Sequence, residues 1–174
     1  MSNAIVALVV IALMLVASLT WSSAAFTSLD SASQSLKQTT KTTQEVARTD
    51  IEIVNVQKRG GFVEVSVLNS GKVHLAQFVD WDVLVQYYDA AGDYHVSQLS
   101  YTENSTPDDN QWAVVNIYTD ASLGQEEVFE PGILDPGEVV LLRLMLPPPA
   151  GAGTTNLVTV SSANGVVTPA QFSG

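Results

Sequence analysis

Few side chains in this sequence have chemistry to offer, and their spacing limits what they could do. The two histidines, His74 and His95, stand 21 residues apart, without the His-x-x-x-His spacing that turns two imidazoles toward one zinc ion. His74 is set between Val73 and Leu75, so both rings read as structural groups rather than as a catalytic base. There is no cysteine, which excludes thiol catalysis, disulfides and thiolate-bound metal. No Gly-x-Ser-x-Gly elbow, lysine-bearing phosphate loop or dinucleotide fingerprint occurs. A nucleophile, a base and an orienting group cannot be assembled, so neither catalytic residues nor a cofactor nor a small-molecule substrate is expected.

Oxygen ligands are more plentiful. Asp80, Asp82, Asp89 and Asp93 form one acidic group and Glu103, Asp108, Asp109 and Asn110 another; either could take calcium, but neither has the spaced Asp-x-Asp-x-Asp-Gly pattern of a dedicated loop. A solvated acidic surface accounts for both, and no metal is expected. Asn104-Ser105-Thr106 is an acceptor triplet for N-glycosylation in a loop-like stretch. Trp81, Tyr87, Tyr88, Tyr94 and Tyr101 could line a binding surface or pack between strands.

The charge is sorted along the chain. Residues 1–29 carry none, residues 30–72 carry six basic and five acidic groups, and residues 73–174 carry one basic and thirteen acidic groups, for a net charge of −11 in 174 residues. A surface of that sign repels phosphate backbones, which excludes nucleic acid as a partner.

The elements that position these groups begin with Ala4–Phe26, 23 uncharged residues that as a helix would measure roughly 35 Å, enough to span a bilayer. Thirteen of them are large and apolar; at about 2 kcal/mol each, holding them in water would cost on the order of 26 kcal/mol, more than a domain's stability of about 5–15 kcal/mol. The segment therefore needs lipid, other copies of itself, or each in turn. Small residues at Ser22–Ala25 suit a signal cleavage site, but the basic region that precedes a secretory signal is missing and the first cation is Lys37, so the segment reads as part of the working protein. Steps of four and three pick out a seam of Leu8, Ala12, Leu15, Leu19, Ser22, Phe26, Leu29, Ser33 and Leu36 that continues past the apolar run. It fits helices packed around an axis, or a membrane anchor with an amphipathic stalk. With no glycine or proline before Arg48, one long hydrophobic helix is expected, forming a first domain over 1–48.

At Asp50 the period changes from 3.6 to 2. Strands are expected at 51–56, 62–68, 82–88, 94–101, 111–118, 139–146, 157–161 and 166–169, separated by turns such as Asn69-Ser70-Gly71 and Asp135-Pro136-Gly137. Short strands at this density predict an antiparallel β-sandwich over 49–174, with Val63, Val65 and Val67 facing its core. Val139, Leu141, Arg143 and Met145 lie on one face of a strand whose other face is also apolar, which makes it either central or covered by a neighbouring subunit.

The whole arrangement resembles the type IV pilin superfamily, and within it the archaeal flagellins (archaellins) and their stator-like accessory relatives. The similarity rests on the uncharged helix Ala4–Phe26, the entry Thr49-Asp50-Ile51-Glu52-Ile53, the segment Val65-Ser66-Val67-Leu68-Asn69-Ser70-Gly71 and the turn Leu134-Asp135-Pro136-Gly137-Glu138. Bacterial pilins carry a glutamate early in the helix; this chain has Ile5 and no acid there, which is closer to archaellins. Family precursors start with a basic leader, and none stands before Met1, so it has been removed or Met1 is the start. The resemblance implies an α+β fold, a helix followed by an immunoglobulin-like β-sandwich. It implies a homo-oligomeric helical filament for motility outside the cell, whose subunits wait in the membrane, or else a membrane-anchored accessory protein that binds a surface layer or the filament.

Overall fold

Uninterrupted by glycine or proline, the chain is helical over α1 (Ser2–Arg48) in a computed structural model that describes the backbone of residues 2–174 and the side chains of residues 5–18, 21 and 30–174. It divides into two compact units, Met1–Thr43 and Gln44–Gly174.

In the first unit, the threonine-rich stretch that would weaken a helix is accommodated by back-bonding. The Thr39 and Thr43 hydroxyls donate to the carbonyls of Ser35 and Thr39 at 2.9 and 2.8 Å, which satisfies their polar atoms within the helix at a slight cost to its stability. The helix is not hydrophobic along its length. Large apolar side chains are exposed at nearly every position from Ile5 to Val16, whereas from Asp30 onward only Leu36 and Val46 join them. Among the described residues, no helix is long and apolar enough to cross a membrane.

The second unit begins with the last helical turn. Thr49 closes it, its hydroxyl donating to the Glu45 carbonyl at 2.8 Å and accepting from the Asn164 amide at 2.9 Å. Beyond it run β1 (Ile51–Arg59), β2 (Phe62–Asn69), β3 (Asp82–Tyr88), β4 (Tyr94–Tyr101), β5 (Gln111–Asp120), β6 (Gln125–Glu126), β7 (Val139–Met145), β8 (Thr155–Ser161) and β9 (Val167–Ser173). Alternation explains the core. Val63, Val65 and Val67 of β2, Val83, Val85 and Tyr87 of β3, Val140, Leu142 and Leu144 of β7, and Val158 and Val160 of β8 all point inward and are buried around Trp112.

The expected fold, a long hydrophobic helix before an immunoglobulin-like β-sandwich, is corrected in both parts. The helix is polar over its described C-terminal half. The strands, among the described residues, form one sheet in the order β1-β2-β7-β5-β4-β3-β8-β9, with β6 on β5. What joins the two would-be layers is a short parallel pairing, Ser100 with Gln111 and Tyr101 with Trp112, made possible by the crossover at 102–110. The sheet curls until β1 packs beside β9, with no hydrogen-bonded register between these two edge strands among the described residues, giving a nearly closed barrel. Period-2 patterning is identical for the inner face of a sandwich and of a barrel, so it could not separate them.

The Asn69-Ser70-Gly71 turn ties the start of β1 to this barrel. The Asn69 amide donates to the Val73 and Leu134 carbonyls at 2.9 Å each, and its oxygen accepts from Gly71 N at 3.1 Å. Gly71 N and Lys72 N then donate to the carbonyls of Asp50 and Arg48 at 3.0 and 2.8 Å. Nothing larger than glycine fits at 71: a Cβ there would lie 2.5 Å from Asp50 N and 2.8 Å from Arg48 O.

Candidate assembly interface

The residues with reactive chemistry are used internally. His95 Nε2 pairs with Asp89 Oδ2 at 3.1 Å and stacks on buried Tyr87 at 5.1 Å. The other Asp89 oxygen accepts the Ala91 and Asp93 amides at 2.8 and 2.9 Å. The His95 bond, then these amides, hold the Asp89 carboxyl below its usual range. His74 Nδ1 meets Asp135 Oδ1, and that contact raises the exposed imidazole above its ordinary value. Among the described residues, no three His, Cys, Asp or Glu side chains converge on a metal-sized position. Trp81 and Tyr87 are core residues, while Tyr88 and Tyr94 form a tilted pair, 5.2 Å between centroids, on the outer face.

What remains is surface. Of the helical seam, Leu8, Ala12, Leu15, Ser33 and Leu36 have exposed side chains, with Leu8 at 71% and Leu36 at 68%. Leu19, Ser22, Phe26 and Leu29 lie outside the described side chains. Over Ile5–Val16 the exposed apolar surface runs all round the helix, since Ile5, Val6, Val9, Val10, Ile11, Leu13, Met14 and Val16 are exposed as well.

β7 is central, between β2 and β5. Val139, Leu141, Arg143 and Met145 form its half-buried face. Arg143 is absorbed within the chain: Nε and Nη2 donate to Glu64 Oε1 at 3.2 and 2.7 Å, Nη1 donates to the Ser105 carbonyl at 3.2 Å, and the guanidinium lies 5.4 Å over the Phe62 ring. The Asn104 triplet occupies an exposed turn in which Asn104 Oδ1 accepts the Thr106 amide at 3.1 Å.

One surface escaped the sequence reading. Between β5 and β7 the chain projects Leu123, Val128 and Phe129 into solvent, Phe129 at 94% exposure. The turns beneath them are tightly bonded. Asp120 Oδ1 accepts the Ser122 hydroxyl and the amides of Ser122 and Leu123 at 2.6, 2.9 and 3.2 Å; Glu127 Oε1 accepts the Glu130 and Phe129 amides at 3.0 and 2.5 Å. These bonds, led by the Ser122 hydroxyl for Asp120 and by the Glu130 amide for Glu127, hold both carboxyls below their usual range. The available signal was a phenylalanine inside an acidic, non-periodic run, Gln125-Glu126-Glu127-Val128-Phe129-Glu130. Beneath it a cleft of about 300 Å³ opens along β5, where β4 and β5 part company.

No protein-family model matches the chain, and no curated protein sequence does. Solved structures do resemble it. The archaeal flagellum of Methanospirillum hungatei strain JF1 is similar with a TM-score of 0.57 at 15% identity, over 96% of this chain and 90% of that one. The archaellum periplasmic stator protein FlaG from Sulfolobus acidocaldarius is similar with a TM-score of 0.51 at 18% identity, over 71% of this chain and 99% of that one. The complex of FlaF and FlaG from the same organism is similar with a TM-score of 0.50 at 16% identity, over 70% and 87%. The structural neighbours are thus archaellum components, the kind of protein the sequence resembles. At these identities the likeness is one of fold.

Proposed function

We propose that this chain is the structural subunit of an archaellum-like filament at the cell surface, assembled from many copies by packing of their N-terminal helices. One observation carries the choice. The flagellar structure aligns over 96% of the 174 residues, which extends well into α1, whereas the stator structure aligns over 71%. The exposed ring of side chains from Ile5 to Val16 supports the same reading. At about 2 kcal/mol for each large apolar side chain, keeping these residues out of water, in lipid or against other helices, is worth on the order of 20 kcal/mol per subunit. Passage from lipid into a bundle costs little, because both surroundings are apolar. The acidic β unit would face outward and keep filaments from bundling. No catalytic role belongs to this reading.

An accessory, stator-like role is the second reading, favoured by the alignment of nearly the whole stator chain with this one. Cell fractionation and negative-stain microscopy separate the two. A filament subunit appears in sheared filaments and disappears from them in Leu15→Asp; an accessory protein stays with the cell envelope, and its Leu15→Asp variant leaves filaments intact.

A further inference from the structure

The outer face of β3, β4, β8 and β9 carries a surface that neither the helix nor the Phe129 projection uses. Register puts Val96, Gln86, Leu157 and Gln171 in one outward row across the four strands, with the Tyr94 and Tyr88 rings in the row beside it. All of these but Val96 line a groove of about 200 Å³. Two kinds of group build it. Tyr88 and Tyr94 are exposed and stand as a tilted pair, so each offers part of a ring face to solvent. Gln86 and Gln171 supply carboxamides, each with donors and an acceptor, and the Tyr94 hydroxyl steadies Gln86 by donating to its Oε1 at 2.8 Å. Charge is missing. Among the described residues, Asp82 is the one ionised group at the outward positions of these strands; it sits at the far end of β3 from the tyrosines and accepts from the Gln98 amide at 3.1 Å. In the β3–β4 connection, Asp89 is tied to His95 and to turn amides, and Asp93 is exposed but does not line the groove.

We infer that this groove binds a neutral sugar, one hexose unit of an uncharged polysaccharide, whether the chain is a filament subunit or an accessory protein. A pyranose ring has an apolar C–H face and a rim of hydroxyls, each both donor and acceptor. The exposed tyrosine rings, apolar in body and polar at the tip, match the first; the glutamines match the second. Other ligand classes fit less well. With no cation in the lining, nothing balances a phosphate, a sulfate or a carboxylate, and the net charge of −11 repels them. Four strands at about 4.8 Å and seven residues at about 3.3 Å give this face about 440 Å². That is about half of the roughly 800 Å² that each partner gives a stable protein–protein interface. A small, neutral, ring-shaped ligand suits both the size and the chemistry. The groove is shallow, so one unit binds weakly, and a polymer that meets several copies binds by avidity.

The test is retention of the full-length chain, held in a detergent without a sugar headgroup, on immobilised glucan, mannan and galactan, with the free hexose as competitor and circular dichroism as the check on folding. Retention on at least one of them, displaced by the hexose and insensitive to added salt, is expected. Tyr94→Ala weakens it about 10-fold, roughly the loss of one aromatic contact. Gln171→Ala weakens it as well, whereas Val167→Ala, two rows away on the same strand, leaves it unchanged. No retention on any of the three overturns the proposal, as does retention that salt abolishes or that Tyr94→Ala and Gln171→Ala both leave intact. Self-association that falls in Tyr94→Ala, without retention on any polysaccharide, overturns it in favour of a second copy on this face. None of these outcomes bears on the filament reading, which Leu15→Asp and sheared filaments test separately.

Discussion

Removing the Arg143 guanidinium should expose the strongest internal electrostatic dependence of the β unit. Glu64 is 2% exposed and takes two hydrogen bonds from Arg143, at 3.2 and 2.7 Å, while Arg59 stands 3.7 Å from its second oxygen. Breaking a buried pair on one side costs about 3–5 kcal/mol, because the other charge is left without a partner. The Arg143 side chain is about a quarter exposed and Arg59 stays in place, which puts Arg143→Met at the lower end, about 3 kcal/mol, or a drop in Tm of about 6–12 °C for a chain of this size. Replacing both partners, Glu64→Leu with Arg143→Met, removes the stranded charge and should recover all but about 1 kcal/mol. Urea denaturation followed through buried Trp112 measures each variant, and the double-mutant cycle isolates the coupling. A single-variant cost under about 1 kcal/mol, or a double variant no better than Arg143→Met, would refute the argument that this face of β7 is satisfied within the chain.

The other predictions concern local geometry, pH and modification. Gly71→Ala pushes a Cβ against the backbone of Arg48 and Asp50 and should cost about 2–3 kcal/mol in urea denaturation, whereas Gly61→Ala, with open space around it, should stay within about 0.5 kcal/mol of the native chain. His74 is raised by Asp135, so its stabilisation is complete below the ordinary imidazole value and is lost as pH rises through the raised one; proton NMR titration should show the His74 midpoint fall in Asp135→Asn, and an unchanged midpoint would refute the pairing. Asn104 sits in an exposed turn, and intact-mass measurement of the native chain against Asn104→Gln should show a glycan lost with the substitution; equal masses, after correction for the replaced residue, would remove that assignment.

Much of the β unit was legible because burial has a period. In β2, Val63, Val65 and Val67 alternate inward as their spacing indicates, and glycine or proline turns bound the neighbouring strands. What could not be read is what depends on distant partners. Ser100–Tyr101 and Gln111–Trp112 carry no local mark of parallel pairing, yet that pairing turns an expected sandwich into one curled sheet. Glu64 reads as an outward-facing charge on a strand, and its burial follows from an arginine 79 positions away. The helix is legible through its lack of breakers, but its apolar character fades where threonines bond back to the backbone. Of the candidate surface, the apolar run from Ile5 was plain, since so many large side chains cannot stay in water. A single aromatic in an acidic turn, such as Phe129, has no periodicity to announce it, and only its exposure sets it apart.

The account turns on where the Ile5–Val16 side chains go. Reconstruction of filaments sheared from cells by electron cryomicroscopy measures this directly. The prediction is a dry core in which this segment of each copy touches the same segment of its neighbours, with the acidic β units outside. Filaments that lack this chain, or that contain it with Ile5–Val16 facing solvent, would contradict it.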